Sequence, residues 1–250
     1  NNPVYAGAGV RLADAHFVLG TWSSDLPTRA ESMAYARMLG IDCVVTGTNW
    51  GANAKMAEQF FIRSINGLNS GQPKTPNVPQ IQEQKANPDV AAWMVRDEPE
   101  MNGVTSHDVA GHTMLYWKND PDTPTLVNVA TNAAFNEYAT VADIACMDHY
   151  VMAAPNILPG SGVSQTPTLE EAVEYASLLK RNTEPLRTWS WTQLASSVWS
   201  RQPLVWGVNY QFWADVMCGA KGVLWFKYGP EFENKYTPQI MGGQRLAKIF

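Results

Sequence analysis

Val90-Ala-Ala-Trp-Met-Val95, running straight into Arg96-Asp-Glu-Pro-Glu100, is the stretch on which the reading of this chain turns. Six apolar residues in a row, bounded by a charged turn, have the length and composition of a strand buried on both faces. The same grammar repeats on either side. Upstream, Thr28 and Glu31 have capping-box spacing ahead of a helix over 33–39 that Gly40 stops. The short β-branched run Ile41-Asp-Cys-Val-Val-Thr46 follows it as a strand. Downstream come a helix over 106–117 and the strand Thr125-Leu-Val-Asn-Val129. The strand Ala142-Asp-Ile-Ala-Cys-Met147 leads to a helix capped at Thr168, with Leu169, Ala172, Val173, Ala176 and Leu179 on its apolar face. Leu186-Arg-Thr-Trp-Ser-Trp191 reads as a strand, 204–217 as a helix, and Gly222-Val-Leu-Trp-Phe226 as the last strand. With Phe17-Val-Leu-Gly-Thr21 as the first, seven strands alternate with helices.

Such alternation specifies a parallel sheet covered by helices, and no Gly-rich phosphate turn follows the first strand. The expected fold class is α/β, a single (β/α)8 TIM-type barrel domain over 1–250. A third strand is due between Phe61 and Lys85, where Asn69-Ser-Gly-Gln-Pro-Lys-Thr-Pro-Asn-Val-Pro79 has the composition of a loop. The barrel is therefore expected to be irregular or shortened around strand three.

Composition narrows the function classes. A formal charge of −5 with interspersed Lys and Arg provides no basic stripe for phosphates, so nucleic acid is excluded as a partner. No run approaches the roughly 20 apolar residues that span a bilayer, and the N-terminus lacks a signal-peptide pattern. The opening Asn1-Asn2-Pro3 has no initiator Met, the start expected of a mature or trimmed product. Cys43, Cys146 and Cys218 are far apart without metal-ligand spacing and read as buried thiols. Ten Trp residues stand out, because indole faces stack on sugar rings as well as filling cores. The four His form no HExxH pair and no Ser sits in a nucleophile-elbow sequence, so no metal or other cofactor is expected.

In a parallel barrel the working groups lie at the C-terminal ends of the strands. That rule selects Arg96, Asp97, Glu98 and Glu100; Asp148, His149 and Tyr150; Trp191 and Gln193; and Tyr228, Glu231 and Glu233. Glycoside hydrolysis needs one carboxylic acid to protonate the leaving oxygen and a second carboxylate across the sugar. Glu98 is the candidate acid, because the charge of Asp97 would raise a neighbouring carboxyl pKa while Arg96 opposes it. The alternative is a turn in which Asp97 caps and Glu98 is merely solvated.

Trp93-Met-Val-Arg-Asp-Glu-Pro99, Ala142-Asp-Ile-Ala-Cys-Met-Asp-His-Tyr150 and Cys218-Gly-Ala-Lys-Gly-Val-Leu-Trp-Phe226 together resemble the barrel glycoside hydrolases. More narrowly, they are similar to a poorly characterised bacterial branch with Asp-Glu-Pro ending strand four, Asp-x-Tyr after strand six and Gly-Ala-Lys-Gly entering strand eight. The resemblance covers roughly residues 15 to 250, and the order and spacing of the motifs are more specific than any one of them. It implies that Glu98 is the strand-four acid/base glutamate, with Asp97 replacing the usual Asn. Retaining members carry a nucleophilic Glu at strand seven, where this chain reads Thr188-Trp-Ser-Trp-Thr-Gln193. The second carboxylate is then Asp148 first, with Asp25, Glu231 and Glu233 as alternatives.

Around this pair, Trp189, Trp191, Trp225, Tyr150 and Tyr228 are expected as sugar platforms, and Gln193, His149 and Asn49 as hydroxyl partners. Trp50 is read as a subsite wall or a loop plug. Trp189 and Trp191 share one strand face, inward or outward. The expected activity is cleavage of a poly- or oligosaccharide by a secreted or periplasmic protein. The alternatives are a noncatalytic carbohydrate-binding barrel and a metal-assisted barrel hydrolase that uses Asp97, Glu98, Asp148 and His149 as ligands.

Overall fold

The computed structural model describes residues 17–22, 29–46, 50–67, 75–85, 87–151, 168–194 and 204–226. Eight parallel strands close into one barrel in sequence order, β1 Val18–Trp22, β2 Cys43–Val45, β3 Arg63–Gly67, β4 Val90–Asp97, β5 Thr125–Val129, β6 Ile144–Asp148, β7 Arg187–Gln193 and β8 Gly222–Phe226. Closure comes from β1 pairing with β8, Val18 opposite Gly222 through Trp22 opposite Phe226. The helices between them are α1 Ala30–Met38, α2 Trp50–Gln59, α3 Val78–Glu83, α4 Ser106–Asn119, α5 Phe135–Tyr138, α6 Leu169–Thr183 and α7 Val205–Met217. This is the (β/α)8 barrel architecture.

Period-two alternation divides each strand between two cores. Val18, Cys43, Ile65, Met94, Leu126 and Leu224 pack together in the lumen, joined by Trp189 and Trp191. Leu19, Val44, Val223 and Trp225 face outward onto Met33 of α1 and Phe212 of α7. On the opposite side of the barrel, Trp93, Val95, Val127 and Val129 pack against Val109 and Tyr116 of α4. Trp93 stacks on Tyr116 at 5.4 Å and donates its indole N–H to Asp120 over 2.8 Å. The wide Trp189 ring fits the lumen because β8 presents Gly222 to it; a Cβ there would meet ring atoms at 2.9 Å.

The third strand is Arg63-Ser-Ile-Asn-Gly67, upstream of the loop-like run. It escapes a hydropathy reading because Ile65 is its one apolar residue. Ser64 and Asn66 are buried through hydrogen bonding instead: Ser64 Oγ donates to Asp89 O over 3.3 Å, and Asn66 Oδ1 accepts from Thr46 Oγ1 over 2.8 Å. Its pairing with β4 is irregular, the register shifting between Ser64 and Ile65.

Two helix details depart from the sequence expectation. Val173 is 40% exposed, so the apolar stripe of α6 runs through Ala172, Ala176, Leu179 and Thr183, and Val173 lies at its solvent edge. Thr168 is the N-cap of α6 but its hydroxyl makes no capping bond. Thr28 lies outside the described residues, and Arg29 is the N-cap of α1. Cys43 and Cys146 are buried thiols of the lumen; Cys218 is half-buried, its Sγ 3.2 Å from Ser177 Oγ. Among the described residues no helix is long and apolar enough to cross a membrane.

Candidate active site

The end of β4 owes its geometry to one extra residue. Met94 is in register with the lumen residue Leu126, but Arg96 pairs with outward-facing Val127 and Asp97 with Asn128. Unbroken alternation from Met94 would aim Asp97 at the helices; the bulge reverses the phase and turns it inward, a common use of bulges beside functional sites. Arg96, almost fully buried, is carried toward His112 of α4. Burial pulls its pKa down while Asp97 pulls it up.

Glu98 follows with φ 44, a left-handed conformation that a non-Gly residue rarely adopts. Three hydrogen bonds hold it there: its N–H donates to Asn128 O over 2.9 Å, and its carbonyl accepts from Asn102 N over 3.2 Å and Asn102 Nδ2 over 2.8 Å. Glu100 fastens the same turn to the loop after β5, its Oε1 accepting from the N–H groups of Ala130 over 2.6 Å and Thr131 over 2.9 Å. Burial, and secondarily the charge of Glu98, raise the Glu100 pKa against those bonds.

Asn128 of β5 then joins the strand ends. Its Nδ2 donates to Asp97 Oδ1 over 2.8 Å and to Asp148 Oδ2 over 3.1 Å. Glu98 and Tyr150 are both near enough to Asp148 to perturb its ionisation. Burial first, then the charges of Glu98 and Asp97, lift the Asp148 pKa well above the usual carboxylate range, with the Tyr150 hydrogen bond opposing. Burial first, then Asp148, and after it the charges of Asp97 and Glu98, raise the Tyr150 phenol. Three carboxyls from two strands thus meet at the C-terminal mouth, around one amide.

Aromatic rings form the other wall. Trp191, in register with Asp148, lies 6.0 Å from Trp22, which lies 6.2 Å from Phe226; Phe226 is 5.6 Å from Tyr150. Trp22 and Phe226 were not among the sequence candidates, although alternation from Val18 and Leu224 puts both on the lumen side. Both keep partial exposure at the mouth.

The expected platforms divide. Trp189 and Trp191 point inward, but each is only 1% exposed, and Trp189 lies one layer deeper over Gly222, where it fills the lumen and offers no open face. Trp225 is excluded as a platform, because it points outward with its ring parallel to Phe212 at 6.4 Å. His149 also leaves the site: it stacks on Tyr175 of α6 at 3.7 Å, with Nε2 3.6 Å from Glu171 Oε2. Burial lowers its pKa to about 4, so it is neutral at pH 7 and that contact is not then an ion pair. Gln193, fully buried, ends β7 on the face of Trp191. Gln211 of α7 supports both strand ends, donating to His149 O over 2.6 Å and to Trp191 O over 3.4 Å. Asp25, Asn49, Tyr228, Glu231 and Glu233 lie outside the described residues, as does the Trp50 side chain. Among the described residues, no group of three His, Cys, Asp or Glu is arranged to hold a metal ion.

No family model and no curated protein matches the chain. Solved structures do. A β-galactosidase from the psychrophilic Marinomonas ef1 superposes with TM-score 0.68 at 11% identity, over 92% of this chain and 59% of its own. An endo-1,4-β-mannanase from Eisenia fetida gives 0.61 at 11%, over 92% and 91%. An endoxylanase from a sugarcane soil metagenome gives 0.56 at 10%, over 94% and 92%. The chain spans about 59% of the β-galactosidase and 50% of a β-glucuronidase from an uncultured Clostridium. At such low identity, what these likenesses establish is the fold, a closed eight-stranded (β/α)8 barrel.

Proposed function

We propose that the chain is a glycoside hydrolase acting on a poly- or oligosaccharide, with Glu98 as the group that protonates the leaving oxygen. The observation that carries this reading is the juxtaposition at the barrel mouth of Glu98, near Asp148, and an aromatic wall of Trp22, Trp191, Tyr150 and Phe226. A sugar ring has polar edges and apolar C–H faces, and such a cleft meets both. The structural neighbours, a β-galactosidase, a mannanase and an endoxylanase, support the same class.

The pair does not match the simplest two-carboxylate scheme. Carboxyls that flank a glycosidic bond stand roughly 5 to 9.5 Å apart. Glu98 lies close enough to Asp148 to be among the charges that raise its pKa, nearer than that arrangement calls for. Asp148 is therefore read as the immediate neighbour of Glu98, and the carboxylate across the sugar is assigned to Asp25, Glu231 or Glu233. A polysaccharide substrate carries with it a secreted or periplasmic location.

Reducing-sugar release from a panel of plant, algal and microbial polysaccharides tests the reading. Release by the parent and its loss in Glu98→Gln are the expected results; unchanged release in the variant would sink the assignment. A second reading, saccharide binding without cleavage, is favoured by β7, Arg187–Gln193, carrying no carboxylate although retaining barrel hydrolases place their nucleophilic Glu on strand seven. Retained binding to one glycan with no release from any would select it.

A further inference from the structure

Glu98 is held against two local preferences at once. Its φ of 44 lies in the left-handed region, and Pro99 follows it, a neighbour that steers the preceding residue toward extended backbone. Left to itself the residue would extend, and its carboxyl would be aimed elsewhere. A conformation of this kind persists only where the surroundings over-determine it.

The bonds made within the turn are the weaker part of the hold. Asn102 donates to Glu98 O through its N–H over 3.2 Å and its Nδ2 over 2.8 Å, but Asn102 is exposed, and a neutral hydrogen bond open to water contributes little. The stronger part comes from the end of β5. Ahead of the strained backbone, the N–H of Glu98 donates to Asn128 O over 2.9 Å. Two residues later, Glu100 Oε1 accepts from Ala130 N over 2.6 Å and Thr131 N over 2.9 Å, with Thr131 Oγ1 further off at 3.4 Å. Two successive backbone N–H groups converging on one carboxylate oxygen make a charge-assisted clasp, and the Glu100 side chain that makes it is only partly exposed. The chain leaving β4 is thus tied to one strand end on both sides of residue 98, at 128 and at 130–131. So short a span with both ends fixed must turn tightly. The ring of Pro99 fixes its own φ, so the turn falls on Glu98.

We propose that Glu100 is a positioning residue which, by clasping the N–H groups of Ala130 and Thr131, keeps Glu98 in its left-handed conformation at the barrel mouth. Glu100 acts through the backbone of Glu98 and does not itself touch the sugar. Its effect on catalysis rests on the hydrolase reading, in which Glu98 delivers the proton. Its effect on the backbone belongs to the unliganded protein and does not require turnover.

The test is backbone NMR of the full chain, as the parent and as Glu100→Gln, Glu100→Ala and Glu100→Asp. It reads the sign of φ at residue 98 from three-bond couplings, and the exchange protection of the Ala130 and Thr131 amides. The parent shows a positive φ and two protected amides. Glu100→Gln keeps both, because its side-chain oxygen accepts the same two bonds. In Glu100→Ala the protection of those amides falls by at least about tenfold, the size of one hydrogen bond to a charged group, and residue 98 averages toward an extended φ. Glu100→Asp, one methylene short of the clasp, follows Glu100→Ala and decides the matter should the Ala variant not fold. A positive φ that survives unchanged in these two variants, or an extended residue 98 in the parent, would overturn the proposal. Where sugar is released, Glu100→Ala lowers kcat with little change in KM and Glu100→Gln restores it, a split that a tie serving stability alone would not produce. A chain that releases no sugar yet extends at residue 98 in Glu100→Ala refutes the hydrolase and leaves the positioning intact. Release that depends on Glu98, with residue 98 indifferent to Glu100, does the reverse.

Discussion

Two aspartates sit on opposite sides of the barrel wall, and the contrast separates architecture from chemistry. Asp215 of α7 is fully buried on the outer side of β7, where Ser190 Oγ donates to it over 2.6 Å. Burial raises its pKa to about 8, with hydrogen bonds from Ser190 and Thr192 opposing. Asp148 is raised as well, but there Glu98 and Asp97 add their charges to burial. A carboxyl among hydroxyls is a structural acid that pins a helix to a strand. One among other carboxyls is pushed up by their charges as well as by burial. The difference lies in the company each keeps, which depends on the face of the sheet it occupies.

The sharpest way to break this comparison is on turnover. Glu98→Gln should lower kcat by about 10²- to 10⁴-fold, the usual worth of a positioned acid, with an unchanged melting temperature. Asp215→Asn should leave kcat within about twofold; a large loss there would erase the distinction. Next in size is the split between tryptophans on the two faces. Trp225→Ala, which empties the space against Phe212, should cost about 3 to 5 kcal/mol in denaturant unfolding and leave glycan affinity intact. Trp22→Ala, at the partly open mouth, should weaken glycan binding with a much smaller loss of stability.

The third prediction concerns pH. Asp215 holds its proton up to about pH 8 when folded and only to about 3.8 when unfolded, so folding takes up a proton between those values. The penalty is absent below about pH 4, grows as pH rises to about 8 and is constant above. Each pKa unit is worth about 1.4 kcal/mol. Asp215→Asn should therefore gain stability over the parent as pH rises through that window, and parallel melting curves from pH 4 to 8 would refute the account. The smallest effect is expected at His149. Because it is neutral at pH 7 and stacked on Tyr175, His149→Phe should change neither turnover nor its pH profile between pH 6 and 8, the range of an ordinary histidine.

Why some of this was legible in the sequence and some was not comes down to parity and partners. The strands around Trp93, Cys146 and Leu224 announce themselves, since strands buried on both faces must be apolar throughout. Strand β3 hides because Ser64 and Asn66 satisfy burial with hydrogen bonds that composition does not display. Glu98 and Asp148 follow from strand-end position alone. Asp97 could be named, but its inward aim depends on a bulge that leaves no mark in the residues around it. Trp225 and Trp189 look alike in the sequence and end on opposite sides of the wall, because alternation says which residues share a face and not which face is inside. Asn128 carried a signal that went unused: a lone amide within Thr125-Leu-Val-Asn-Val129, where every neighbour toward the core is apolar.

Gly222 has a consequence for how the cleft can vary. The Trp189 ring rests where a side chain on Gly222 would stand, so the floor of the lumen is set by the absence of a single carbon. Restoring that carbon would push the indole toward Trp191 and the mouth, making the basin shallower without altering any residue of the aromatic wall. Cleft depth in this barrel is thus adjustable from beneath, at a position one layer below Asp148 in the strand register.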